Sequence, residues 1–248
     1  MDFNSFARGA IFGQSVHGNS GPGIVPPEQP NPLEQYFNAH TQGPGIWKWR
    51  HYFPVYHRHF AKFVGRDVHV LEIGVLGGGS MGMWRHYFGP RSRIYGVDIN
   101  EACRENEGEG VKIFIGDQGD RNFWANVRAQ IPALDIVIDD GSHNPEHQIV
   151  TLEEMLPHLR PGGVFMVEDV YLVENPFHGY VAGLSQSLNH AWECVPGVTD
   201  PHLGMKPSSL QRWVASVHHY PHLKVIERTE APVAAFTAPR QGTRWQPM

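Results

Sequence analysis

From Val68 onward, compact apolar runs alternate with amphipathic stretches. The runs are VHVLEIGV (68–75), RIYGVDI (93–99), VKIFIGD (111–117), LDIVIDD (134–140) and GVFMVEDV (163–170). Runs this short, bounded by glycine or acid, read as buried strands. Between them GSMGMWRHYF (79–88), DRNFWANVRAQI (120–131) and PEHQIVTLEEMLPHL (145–159) read as helices, with Phe123, Val127 and Ile131 on one face of the second. Asn144 caps the third, Pro145 opens its first turn and PGG (161–163) ends it. This alternation predicts an α/β fold: a mostly parallel sheet with helices on both faces. The tail breaks the rule. After a helix around 179–192 and a Pro- and Gly-rich loop (196–207) come two strand-like runs, LQRWVASVHHY (210–220) and HLKVIERTE (222–230), parted only by Pro221. So short a link excludes a crossover and predicts an antiparallel hairpin at one edge.

The chain before the sheet is of another kind. Residues 1–34 are turn-rich, with GNSGPG at 18–23 and VPPEQPNP at 25–32, and read as an irregular arm. Residues 33–64 are aromatic-rich and read as two short helices leaning on the sheet. The expected division is 1–64 as arm and packing or lid helices and 65–248 as the sheet domain, a single domain overall. There is no internal repeat. Of 248 residues, 41% are hydrophobic and 18% charged, enough for a real core. The net charge of −5 argues against bulk nucleic-acid binding. No stretch approaches the ~20 apolar residues of a membrane span, and MDFNSFARGA lacks the layout of a secretory signal, so a cytoplasmic protein is expected. Cys103 and Cys194 are too few for a disulfide framework or a thiolate zinc site.

The chemistry gathers at the carboxyl ends of the strands. Glu72-Ile73-Gly74-Val75-Leu76-Gly77-Gly78-Gly79-Ser80 joins the first strand to its helix. Glycine there permits a tight turn and close ligand approach, but Leu76 stands where a dinucleotide fingerprint has its second glycine. A nucleoside ligand without phosphates fits better. Asp98 ends the second strand, where a carboxylate can accept from ribose hydroxyls, and Asp117 with Gln118 ends the third, within reach of an adenine. Glu72, Ser80 and Asp139, on the same turn and strand ends, complete the candidate donor set. Two acidic pairs, Asp139-Asp140 and Glu168-Asp169, close the fourth and fifth strands. Four carboxylates together are costly without a cation, and a hard divalent ion such as Mg²⁺ prefers oxygen ligands. His143, three residues after Asp140, is a candidate general base, because an alcohol ionises only near pKa ~16 unless a metal and a base assist. The other histidines read as ordinary surface or half-buried groups.

The E-x-G-x-x-x-G turn, the acid after strand two, the GDQ after strand three and the terminal hairpin resemble class I S-adenosylmethionine-dependent methyltransferases, with their Rossmann-like sheet. In that family Gly74 and Gly77 would face the methionine part, Asp98 the ribose, and Asp117 with Gln118 the adenine. The segments EIGVLGGGSMGMW, YGVDI, GDQGD, IVIDDGSH and PGGVFMVEDV further resemble the sugar O-methyltransferases of antibiotic biosynthesis, over about residues 45–230. That resemblance implies Mg²⁺ held by Asp140, Glu168 and Asp169, His143 as base, S-adenosylmethionine as donor and a glycoside, such as a deoxysugar like rhamnose, as small-molecule acceptor. It also carries an expectation of a homo-oligomer, dimer or higher. The sequence departs from the family at Val170–Glu174, where relatives carry a His-Thr-Ser-Tyr-like stretch. It departs again before the first strand, where Lys48 is the nearest equivalent of a Thr-Asp-Lys element. Two alternatives stay open: methylation of a catechol-like diol, and an inactive nucleoside-binding partner subunit.

Overall fold

The computed structural model describes residues 3–15, 31–172, 174–189, 193–194 and 204–243. The chain divides into two compact units, Met1–Pro30 and Asn31–Met248. The described part of the first is a helix, α1 (Phe3–Ser15), where an irregular arm is expected. Proline is absent from this stretch, and a turn signal averaged over 34 residues hides it. GNSGPG, and VPPEQPNP up to Pro30, lie outside the described residues.

The second unit opens with α2 (Pro32–Ala39) and α3 (Phe53–Phe60). The Asn31 side chain caps α2 by accepting from the Leu33 and Glu34 amides. The alternating part follows as β1 (His69–Ile73), α4 (Gly79–Phe88), β2 (Arg93–Asp98), β3 (Val111–Ile115), α5 (Arg121–Arg128), β4 (Leu134–Asp139), α6 (Pro145–Met155), β5 (Leu159–Val167) and α7 (Pro176–Ser187). The tail contains β6 (Glu193–Cys194), β7 (Gly204–Lys206), α8 (Ser209–Trp213), β8 (Val214–Tyr220), β9 (Leu223–Arg228) and β10 (Phe236–Thr237).

The main sheet has the order β3-β2-β1-β4-β5-β9-β8. Its first five strands are parallel, and β9 pairs antiparallel with both β5 and β8. This is a mostly parallel, Rossmann-like sheet closed by the antiparallel hairpin that the sequence pattern predicts. Successive β1 residues face opposite layers. Val70 packs with Leu33, Tyr56, Phe60 and Trp84 from α2, α3 and α4, and Leu71 packs with Trp124, Leu152 and Phe177 from α5, α6 and α7. Burial on both faces accounts for the unbroken apolar runs.

The structure moves some boundaries. β5 begins at Leu159, so the PGG expected to precede the strand lies inside it. Gly162 takes a left-handed φ of 76° and its amide donates to the Thr229 carbonyl, so the turn signal marks an irregularity within the strand. The strand-like run at 210–220 starts as α8, whose Ser208 and Gln211 form a reciprocal capping box, and becomes extended only at Val214. The helix expected at 179–192 begins at Pro176, behind the Asn175 cap, and ends at Ser187. Most of the loop predicted at 196–207 lies outside the described residues, and its end forms β7 in a small antiparallel sheet, β10-β7-β6, that the apolar pattern did not announce. No helix among the described residues is long and apolar enough to cross a membrane.

Candidate active site at the strand tips

A cleft of about 590 Å³ opens at the carboxyl ends of the five parallel strands. Each tip contributes to its wall: Ile73 and Gly74 from β1, Val97 and Asp98 from β2, Gly116 and Asp117 beyond β3, Asp140 and Gly141 beyond β4, Glu168 and Asp169 beyond β5. Ligands of open parallel sheets bind at this edge.

On the β1–β3 side, Asp98 fixes the turn as well as lining the cleft. Its Oδ2 accepts from the amides of Val75 (2.9 Å) and Leu76 (3.1 Å), and its Oδ1 from Asn100 (2.8 Å). Burial pushes this carboxyl up, but the amides of Asn100, Leu76 and Val75 outweigh it and hold the group below its usual range. Gly74 has φ 90°, and a Cβ there would stand 2.0 Å from the Asp140 carbonyl oxygen, so this glycine permits the crossing of two strand tips. Gly77 does not line the cleft; a Cβ on it would meet the backbone of Gly45 at 3.0 Å. The stretch Pro44–Ile46 thus lies against the glycine turn. Leu76 and Ile99 stand on the cleft wall, 71% and 73% exposed, and offer apolar surfaces to a planar ring. The sequence drew notice to Leu76 only as the residue that breaks a dinucleotide fingerprint, and to Ile99 only as the end of a strand-like run. Asp117 is exposed on the same wall. Gln118 also lines the cleft, but its amide group is held inward: the nitrogen donates to Asp139 and Thr151, and the oxygen accepts from the Ser142 amide at 2.6 Å. It braces Asp139, which is fully buried, raised to about 7 by desolvation, and not part of the cleft wall.

Glu72 and Ser80 lie beneath the cleft. The Ser80 hydroxyl (2.6 Å) and Trp84 Nε1 (3.0 Å) both donate to Glu72 Oε2. The other Glu72 oxygen meets Lys48 Nζ at 2.9 Å, and the same ammonium lies 2.6 Å from Asp140 Oδ2 and 3.2 Å from Glu168. Burial opposes a charge on Lys48, but Asp140, Glu168 and Glu72 together raise its pKa well above the ordinary value and keep it protonated. The sequence marked Lys48 only as the nearest basic residue in its region. The structure makes it the resident cation of the acidic corner.

The rest of that corner is ordered by aromatic hydroxyls. Tyr56 donates to Glu168 Oε1 (2.7 Å) and Tyr52 to Asp169 Oδ1 (2.8 Å). Burial, reinforced by the negative charge of Asp140, raises the Glu168 pKa well above the usual carboxylate range. Their spacing of four residues puts both tyrosines on one side of the segment entering α3, a signal the sequence contained but aromatic content alone obscured. Asp140, His143 and Asp169 each offer a ligand atom within 4.8 Å of the others, and His143 Nε2 lies 3.7 Å from Asp169 Oδ2. His143 and Asp169 take φ of 54° and 56°, costly conformations for non-glycine residues that aim both side chains into one space. Glu168 stands beside this trio with its oxygens engaged by Lys48 and Tyr56. The donor set fits a hard divalent cation through Asp140 and Asp169, with Glu168 adjoining. Imidazole is the poorer ligand for such an ion, and His143 borders the same space. Trp49 Nε1 donates to the Tyr171 hydroxyl (3.0 Å) across the mouth, where Trp47 is 85% exposed.

Residues 71–170 match the family described as "Methyltransferase domain". The core of this chain belongs to that family. Relatives include demethylmacrocin O-methyltransferase of Streptomyces fradiae, 34% identical over 73% of this chain and 50% of the relative. Mycinamicin VI 2''-O-methyltransferase of Micromonospora griseorubida is 34% identical over 72% and 48%. Among solved structures, the MycE methyltransferase from the mycinamycin biosynthetic pathway, in complex with Mg, SAH and mycinamycin VI, superposes with a TM-score of 0.64. It is 29% identical and covered over 81% of this chain and 54% of that one. The chain spans about half the length of the curated relatives it matches. The matched residues include the strand tips that wall the cleft, from Ile73 to Asp169.

Proposed function

We propose that this protein transfers the methyl group of S-adenosylmethionine to a hydroxyl of a glycosylated small molecule, a deoxysugar such as rhamnose in secondary metabolism, with Mg²⁺ at the acidic corner. The observation that carries this reading is the convergence of Asp140, Asp169 and His143 beside a cleft whose far wall ends in Asp98 and Asp117. The named activities of the relatives, sugar-directed O-methylation among them, support it.

In this reading Asp98 receives the ribose through the lone pair that Oδ1 retains, Leu76 and Ile99 flank the adenine, and Asp117 lies at its edge. Asp140 and Asp169 hold the cation with Glu168 beside them. When bound, S-adenosylmethionine would supply an electrophilic methyl on sulfur and Mg²⁺ would lower the pKa of the hydroxyl. His143 takes the hydroxyl proton as the C–O bond forms and the C–S bond breaks, leaving a neutral thioether. Lys48 and the two tyrosines hold the carboxylates in place, so little reorganisation accompanies transfer. Residues 33–64 act as the roof of the acceptor side.

Mass spectrometry of methyl transfer to a rhamnoside and to a catechol, with Mg²⁺ and with EDTA, tests this. The expected result is methylated rhamnoside in Mg²⁺ alone. Transfer that survives EDTA, or that runs only to the catechol, would overturn it.

A further inference from the structure

Away from the cleft, α3 meets the edge hairpin at two histidines that read in the sequence as ordinary and at a glutamate, Glu227, that the sequence did not single out. His59 Nδ1 lies 3.0 Å from Glu227 Oε1, and His218 Nε2 lies 3.4 Å from Glu227 Oε2. Ser216 in β8 pairs with Glu227 in β9, and His218 with Val225, so His218, two residues along, shares the face of Glu227. His59, 4% exposed, reaches that face from α3, its ring centroid 4.8 Å from that of His218 at 63°.

We propose that His59, His218 and Glu227 form a second metal site, for a borderline divalent cation such as Zn²⁺. The donor set is two imidazoles and a carboxylate, which zinc accepts and magnesium does not favour. One atom from each residue lies within 4.8 Å of the other two. His59 Nδ1 and His218 Nε2 approach different oxygens of the Glu227 carboxylate, at 3.0 and 3.4 Å, and an ion would draw one atom of each residue from within 4.8 Å to the about 3.3 Å spacing of tetrahedral zinc ligands. The outer partners are also in place. His59 Nε2 faces the Tyr220 hydroxyl at 3.0 Å, which leaves Nδ1 as the ligand atom, and the Ser216 hydroxyl donates to Glu227 Oε2 at 3.0 Å while standing 2.9 Å from His218 Nε2, a contact that an ion would replace. His59 is buried while His218 and Glu227 are half-buried, so an ion would reach the cluster from the hairpin side. An ion here ties α3 to the hairpin, and Tyr56, one turn earlier on α3, holds Glu168 at the acidic corner.

The full chain, stripped with EDTA and returned to excess Mg²⁺, is titrated with Zn²⁺ by calorimetry and with Co²⁺ by visible absorption. Wild type and D169N are expected to take up one equivalent with nitrogen-ligated Co²⁺ bands. H218A and E227Q, which alter half-buried positions outside the cleft, are expected to weaken that equivalent by more than about 100-fold, since even outer partners of a metal are worth 10–100-fold. Zn²⁺ affinity in H218A and E227Q equal to that of wild type, or loss of the equivalent in D169N, would overturn the site.

Discussion

Lys48 decides how the acidic corner is built. Glu72, Asp140 and Glu168 converge on one buried ammonium, with the shortest contact 2.6 Å. Truncating one partner of a buried ion cluster leaves the others uncompensated and costs about 3–5 kcal/mol. K48M is therefore expected to lower unfolding free energy by about that amount in urea titration, and unchanged stability would remove Lys48 from the role. The sequence put acid residues at the strand tips correctly but could not foresee their counter-charge. Lys48 is 24 residues before Glu72 and 120 before Glu168, and only the packing of residues 44–49 over the glycine turn brings it in. Gln118 shows the reverse limit. It follows strand three as expected, yet it turns inward because the buried Asp139 and the Ser142 amide both need partners.

At the scale of elements, the parallel strands and the edge hairpin were legible because burial on two faces and a one-proline link leave few alternatives. β5 was misjudged at its start, since Pro161-Gly162-Gly163 signals a turn whether it lies before a strand or inside one. The contact between α3 and the hairpin was not legible, because it joins positions 59 and 227. That contact has a pH signature in metal-free protein. The hydrogen bond from His59, against the opposing pull of burial, lowers Glu227 from 4.5 to about 2. A depressed carboxyl contributes stability above its unfolded pKa and loses it as pH falls toward the folded value. Wild type is expected to lose this contribution between about pH 4.5 and 2, while E227Q shows a flatter profile across the same window in thermal unfolding. Parallel profiles for the two proteins would contradict the assignment.

For the molecule as a whole, the cleft divides into a donor wall and an acidic corner, and the two can be perturbed apart. D98A removes the carboxylate that accepts the Val75, Leu76 and Asn100 amides, so it is expected to weaken S-adenosylhomocysteine binding by at least about tenfold, the loss of one charge-assisted hydrogen bond. H143A is expected to bind that nucleoside normally and to lose turnover by about 10²–10⁴-fold, with the loss shrinking at high pH. The most direct measurement is calorimetric titration of Mg²⁺ into wild type and D169N with S-adenosylhomocysteine present. The account predicts Mg²⁺ binding in wild type, its loss in D169N and the same nucleoside affinity in both; equal Mg²⁺ binding by the two proteins, or none by wild type, would contradict it.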